Sequence, residues 1–318
     1  VSLLRVNNLR VVFETPYGQV KAVDGVSFEI ERGEVVGLVG ESGSGKSTLG
    51  LSIMKLLPPN ARILSGQVIY NGVDLLRLKE DELRKIRGKE ISMIFQDPMT
   101  TLNPTMRVGE HIAEALMYHY NMDKEEAWRI AKEVLESVGI PAERAMDYPH
   151  QMSGGMRQRV MIATAIALKP KLIIADEPTS ALDVIVQDHI LELLKDLRDR
   201  NKASIILITH DLSVTADIAD RVLIMYAGRI LEVGTVEHIY YHPHHPYTQG
   251  LLKSIPKLGS KSELYIIPGS PPDMTNPPSG CRFHPRCPYA RGICMKEAPP
   301  LVKVEKGHLV ACWLYIER

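Results

Sequence analysis

The 318-residue chain is long enough for one large domain with an appendage or for two ordinary domains, and its 45% hydrophobic and 24% charged residues exclude disordered and fibrous classes. Lys and Arg, 38 together, balance 38 Asp and Glu, which leaves no bulk attraction for nucleic acid or anionic lipid. Apolar runs such as Leu172–Ala175 and Ile205–Ile208 fall far short of the ~20 residues that span a bilayer, and no signal-peptide pattern is visible, so membrane association is expected only through partners.

In chain order, the first ~240 residues alternate short β-branched runs with helical patterns, which predicts an α/β domain with a largely parallel sheet. Val35–Val39 reads as a buried strand and Leu49–Leu57 as an apolar helix after it, with Ile91–Phe95 a further strand. Residues 97–151 carry more helical than strand signal, predicting a mostly helical insertion. Within it, Asp123 and Glu126 form a capping-box pattern ahead of Ala127, Ile130, Ala131, Val134, Leu135 and Val138, an apolar stripe stopped by Gly139. Leu172–Ala175, Ile205–Thr209 and Val222–Met225 complete the predicted strands. After Tyr241 the composition changes to His-Pro-His-His-Pro at 242–246, Pro-Gly-Ser-Pro-Pro at 268–272 and Asn-Pro-Pro-Ser-Gly at 276–280, a density of helix and strand breakers. The expected organisation is a domain over 1–240 and an irregular Pro-rich extension over 241–318, with no internal repeat.

Gly40-Glu41-Ser42-Gly43-Ser44-Gly45-Lys46-Ser47-Thr48 matches G-x-x-x-x-G-K-[ST], between a predicted strand and a predicted helix. Glycines let backbone N–H groups turn inward around phosphate oxygens, and the helix N-terminus adds partial positive charge. Lys46 would meet the β- and γ-phosphates of ATP, and the Ser47 hydroxyl a Mg²⁺ ion. Leu172-Ile173-Ile174-Ala175-Asp176-Glu177 is an apolar strand ending in two carboxylates: Asp176 is expected to hold Mg²⁺, and Glu177 to polarise an attacking water. A GTPase would need Asn-Lys-x-Asp, whereas Asn201-Lys202-Ala203-Ser204 lacks the Asp.

Met152-Ser153-Gly154-Gly155-Met156-Arg157-Gln158-Arg159, ahead of a helix-compatible run, resembles the Leu-Ser-Gly-Gly-Gln signature of ABC ATPases, with Met152 in place of Leu and Met156 in place of Gln. The resemblance implies a P-loop ABC ATPase fold: a parallel-sheet core, an antiparallel β part and a helical insertion at about 97–151, here with a cysteine-containing extension. It further implies that Ser153, Gly154 and Gly155 meet the γ-phosphate bound by an opposite subunit. Gln96 looks like the Q-loop residue that senses Mg²⁺, and Ser180-Ala181-Leu182-Asp183 like the D-loop. His210 resembles the switch histidine, and Tyr17 the aromatic that stacks on adenine, with Phe13 an alternative. Phe95-Gln96-Asp97-Pro98-Met99-Thr100-Thr101-Leu102-Asn103-Pro104, Tyr148-Pro149-His150 and His245-Pro246-Tyr247-Thr248 with Leu251-Leu252 narrow the resemblance to the dipeptide/oligopeptide importer subunits, whose pattern nickel importers share. Implied partners are two transmembrane permease subunits, a second and different ATP-binding subunit and, indirectly, an extracellular peptide-binding protein, with this chain at the cytoplasmic face of the membrane. An ABC ATPase acting on ribosomes or DNA is disfavoured by the neutral charge and the single nucleotide motif. A regulatory subunit that never turns over would be expected to lack Glu177 and His210.

Cys281, Cys287, Cys294 and Cys312 are the only cysteines, spaced C-x₅-C-x₆-C-x₁₇-C within the Pro-rich segment. Absent an export signal, metal ligation is expected over disulfides. The spacing lacks the C-x₂₋₄-C knuckle common at zinc sites, so a [4Fe–4S] cluster is expected; zinc, with His284 or His308 completing a mixed site, is the alternative.

Overall fold

The computed structural model describes residues 2–180, 182–255 and 265–316. Its contacts divide the chain into two compact units, Glu31–Val35 with Arg77–Ile208, and Ser2–Ile30, Val36–Leu76 and Thr209–Arg318.

In the first unit the strands Ile91–Ile94, Leu172–Asp176 and Ser204–Thr209 run parallel, with every residue buried. Their unbroken apolar runs, without alternation, are what a strand covered on both faces requires. The predicted helical insertion comprises Val108–Tyr120 and Lys124–Ser137. Asp123 caps the second by accepting the amide of Glu126 at 2.9 Å, and Ala127, Ala131 and Leu135 form its buried stripe. The two helices approach closely at Gly109, where any Cβ would lie 2.7 Å from Trp128 Cζ3. The strand after Arg87 ends at Ile94, so Gln96 sits beyond it on exposed chain rather than directly at the strand end.

The second unit contains an antiparallel sheet in the order Gly18–Ile30, Leu4–Thr15, Ala61–Tyr70, Val73–Asp74. This is the antiparallel β part implied by resemblance. Its remaining strands lie in the order Val302–Glu305, His308–Val310, Arg229–Thr235, Arg221–Tyr226, Val35–Val39, the last pair parallel. Among its described residues the extension is mostly without regular structure, yet it contributes the short hairpin 302–310 to a sheet edge and the helix Pro246–Lys253, which starts at a proline as helix first turns allow. Tyr226, Tyr247 and Phe283 form the aromatic centre of a core that also takes in Val39, Ile224 and Cys281, so the extension is packed into its unit rather than tethered to it. Among the described residues no helix is long and apolar enough to cross a membrane.

Candidate nucleotide and thiol sites

Strand Val35–Val39 runs into Gly40, and the helix Lys46–Ile53 starts one residue after the left-handed Gly45, as a P-loop requires. Two glycines are fixed by crowding: a Cβ on Gly40 would stand 2.0 Å from the carbonyl oxygen of Met225, and on Gly45 2.1 Å from that of Ala22. Gly43 has φ +76° and open space at its Cβ position. Lys46 is 5% exposed, and its Nζ donates to the carbonyls of Gly40 at 2.7 Å and Glu41 at 3.0 Å, holding the loop curved around its ammonium group. The Ser44 hydroxyl is buried without a hydrogen-bond partner, a state that an added acceptor or donor would relieve. A cradle of this kind, with a buried cation and a helix N-terminus, accommodates the phosphates of ATP.

In the same unit, Tyr17 lies in the turn between the first two strands and is 92% exposed, while Phe13 is half-buried. Of the two, Tyr17 therefore has the free aromatic face. His210 is exposed, one residue past the strand Ser204–Thr209.

The other sequence-predicted groups belong to the first unit. Asp176 is the last, buried residue of its strand, and Glu177 follows in the left-handed region at φ 47°, its amide bonded to Ile208 O at 2.9 Å. Holding a non-glycine residue there costs roughly 1–2 kcal/mol and sets Glu177 off the line of the strand. Ser153 caps helix Gly154–Ile166 by accepting the amide of Met156 at 3.4 Å, while Ser153 and Gly154 face solvent. Met152, the residue that departs from the signature, is 3% exposed, so the position demands an apolar anchor that Met supplies as well as Leu. Gln158 Nε2 donates to Pro178 O at 3.0 Å, and Gly155 faces Leu182 Cδ2, tying the signature helix to the chain just after Glu177. Asp183 caps the helix Val184–Asn201 through the amide of Val186. Ala181 of the predicted D-loop lies outside the described residues.

All four cysteines line one small cavity, with His245, Phe283, Tyr289 and Trp313 around them. Burial, reinforced by the neighbouring thiols, pushes Cys281 and Cys312 up to about 11, so a metal bound by these two would displace their protons. Among the described residues, the trios of ligand atoms packed within 4.8 Å of one another are Glu232/His244/His308 and His238/Glu305/His308. His308, considered as a zinc ligand, is engaged by Glu232 at 2.8 Å and Glu305 at 3.1 Å.

Sequence reasoning missed Glu41, Tyr247 and Arg286 as a connected group. The Arg286 guanidinium binds both Glu41 carboxylate oxygens, at 2.7 and 3.1 Å, and the Tyr247 hydroxyl accepts the Glu41 amide at 2.9 Å. Glu41 occupies a variable motif position, so only its tertiary partners single it out.

Residues 23–180 match the family model described as ABC transporter, and residues 231–294 that described as oligopeptide/dipeptide transporter, C-terminal region. The oligopeptide transport ATP-binding protein OppD of Bacillus subtilis (strain 168) is 54% identical, over 98% of this chain and 88% of its own length. The dipeptide transport ATP-binding protein DppD of the same organism is 50% identical, over 99% of this chain and 96% of its own. Among solved structures, the dimeric cassette MJ0796, in a post-hydrolysis state bound to ADP and Pi, is similar with a TM-score of 0.68 and 31% identity, covering 73% of this chain and 98% of that one.

Proposed function

Because the chain belongs to the ABC transporter ATP-binding proteins of the oligopeptide/dipeptide type, we propose that its ATPase activity energises import of di- and oligopeptides. The observation that carries the cargo assignment is that similarity to peptide-transport subunits continues through the extension, beyond the nucleotide motifs that all ABC ATPases share.

Gly43, Ser44, Gly45, Lys46, Ser47 and Thr48, with Ser42, hold the phosphates of ATP, and Tyr17 stacks on adenine. Ser47, Gln96 and Asp176 are the ligands for Mg²⁺, which when bound neutralises phosphate charge. Glu177 takes the proton of the attacking water, His210 stabilises the γ-phosphate as it leaves, and Gln96 passes the change to the permease. The exposed Ser153-Gly154 helix start and the dimer reported for the similar cassette support a signature that acts on ATP held by a second subunit, with Asp183 at that junction. The partners in this reading are two permease subunits, a related ATP-binding subunit and a peptide-binding protein on the far side of the membrane, with the chain peripheral on the cytoplasmic face. Its domain is residues 1–240, and 241–318 is the extension. Cys281, Cys287, Cys294 and Cys312 hold a [4Fe–4S] cluster that cross-links the Pro-rich chain, with zinc the alternative; the cavity shared by the four thiols supports a common centre at these residues.

The test is uptake of labelled peptides by proteoliposomes holding the complete transporter. Peptide uptake should require ATP, and Glu177→Gln should keep ATP binding while turnover falls by roughly 10²–10⁴. ATP-driven uptake of a different solute class with no peptide uptake would overturn the cargo, and undiminished hydrolysis by the variant would overturn the base.

A further inference from the structure

The structure assigns Arg286 and Tyr247, both in the C-terminal extension, as positioning residues for the P-loop, acting through Glu41. The inference rests on the reading of Gly40–Thr48 as the ATP phosphate site.

Glu41 is the first variable residue of the loop and is held at three points. Its amide donates to the Tyr247 hydroxyl at 2.9 Å, its carbonyl accepts from Lys46 Nζ at 3.0 Å, and its carboxylate meets the Arg286 fork at 2.7 and 3.1 Å. The Lys46 ammonium and the Arg286 guanidinium thus grip the same residue, one by its backbone and one by its side chain. Any movement of Glu41 shifts the carbonyl to which Lys46 is anchored.

Neither partner has freedom to drift. Arg286 is 7% exposed, and its Nε donates to Pro268 O at 2.9 Å. Its Nη1 also reaches the Tyr226 hydroxyl at 3.3 Å, and the guanidinium lies over the Tyr226 and Phe283 rings at 5.7 and 6.0 Å. Tyr247 is fully buried against those rings, and its amide is capped by His245 Nδ1 at 3.0 Å. A small cavity bounded by Glu41, Ser42, Gly43 and Ser44 on one side and Pro271, Pro272 and Met274 on the other continues the contact between loop and extension.

The clamp has an electrostatic role as well as a geometric one. A carboxylate beside a triphosphate site repels the ligand, and a bidentate guanidinium neutralises it while fixing its orientation. Arg286 immediately precedes Cys287, in the turn His284–Arg286 that follows Cys281, so the thiol site and the clamp share one short stretch of backbone.

The experiment measures equilibrium binding of ATP and of adenosine to the full chain, purified anaerobically with its metal content retained, beside thermal unfolding. Arg286→Met strips the neutralising charge and should raise the Kd for ATP roughly 10- to 100-fold, the scale of a lost hydrogen bond to a charged group, with adenosine affected much less. Glu41→Gln added to Arg286→Met removes the carboxylate left unpaired and should restore most of the ATP affinity, which a merely structural loss would not do. Tyr247→Phe, which preserves the ring, should weaken ATP binding without that charge-dependent rescue, and Arg286→Gln serves if Arg286→Met does not fold. ATP affinity within twofold of the unmodified protein in Arg286→Met and Tyr247→Phe, or in Arg286→Gln and Tyr247→Phe where that substitute is used, would overturn the assignment, as would equal losses for ATP and adenosine without rescue. Lys46→Ala separates the premise: if it binds ATP as well as the unmodified protein, the phosphate-site reading itself fails.

Discussion

At the scale of single residues, Gly40 and Gly45 are glycine because backbone carbonyls occupy the space of a side chain, at 2.0 and 2.1 Å from the Cβ positions. A carbonyl in the ladder of a buried strand cannot retreat by an ångström without breaking its own pairing. Gly40→Ala should therefore cost about 1–3 kcal/mol or more of overpacking strain, read as a lowered urea midpoint at unchanged slope. Gly43→Ala meets no protein atom and should cost only about 1–2 kcal/mol for its positive φ. Equal stability losses for the two variants would contradict this account of the loop. Glu177 shows the opposite case, since a non-glycine residue is kept at φ 47° where glycine would sit more easily.

At the scale of elements, the hairpin 302–310 is fastened to the strand Arg229–Thr235 by more than its ladder. Glu232 and His308 are both fully buried, and the imidazole lies between two carboxylates, Nε2 to Glu232 and Nδ1 to Glu305. Carboxylates only accept, so both ring nitrogens donate and His308 is an imidazolium. His238 and His244 stack on its two faces, and Tyr315 stacks on His244.

Burial alone would push His308 down, but the hydrogen bonds it donates to Glu232 and Glu305 raise it above its ordinary 6.5. Burial would likewise push Glu232 up, but His308 and the amides of His244 and His245 hold it below 4.5. A raised histidine stabilises fully below 6.5 and loses that contribution as pH rises through the higher folded value; a lowered carboxylate stabilises above 4.5 and loses it as pH falls through the lower one. The clasp is thus at full strength between 4.5 and 6.5 and weakens on the alkaline side. His245, pushed down to about 4 by burial, slopes the other way below 6.5, so the whole-protein profile mixes the two. The difference between unmodified protein and His308→Gln cancels that background. It should be about 3–5 kcal/mol near pH 6, since one partner of a buried pair is removed, and should shrink as pH rises. A pH-independent difference would rule out a charged His308.

At the scale of the whole molecule, the ATP loop and His210 fall in one compact unit, and Asp176, Glu177, Gln96 and the signature helix in the other. If the signature serves a neighbouring subunit, mixing a Lys46→Ala chain with a Ser153→Arg chain should rebuild one intact interface. ATPase activity of the mixed dimer should exceed that of either variant alone, and none above that level, with mixed dimers verified by mass, would refute action between subunits. The thiol site predicts about four irons per chain and broad absorption near ~400 nm in anaerobic protein. Stoichiometric zinc without iron would remove the cluster and leave the cross-link, and no metal would remove both.

The sequence by itself determined the parts whose chemistry is local. The P-loop, the strand ending in Asp176-Glu177 and the Ser153-Gly154-Gly155 helix start are contiguous, because a phosphate cradle, a buried strand end and a helix cap each need only neighbouring backbone. Periodicity was equally sufficient for Lys124–Ser137 and for the three buried strands of the first unit. It failed for the antiparallel strands 4–15 and 18–30, whose alternation is broken by register shifts near Leu9 and Val11, so that only pairing with their neighbours defines them. Only the tertiary structure decided what the extension does: Glu41 and Arg286 are 245 residues apart, as Glu232 and His308 are 76, and no propensity or spacing links charges that meet solely because the chain returns to the same core. Composition announced a Pro-rich tail held by cysteines; burial of an arginine fork beneath aromatic rings turned that tail into a support for the phosphate loop.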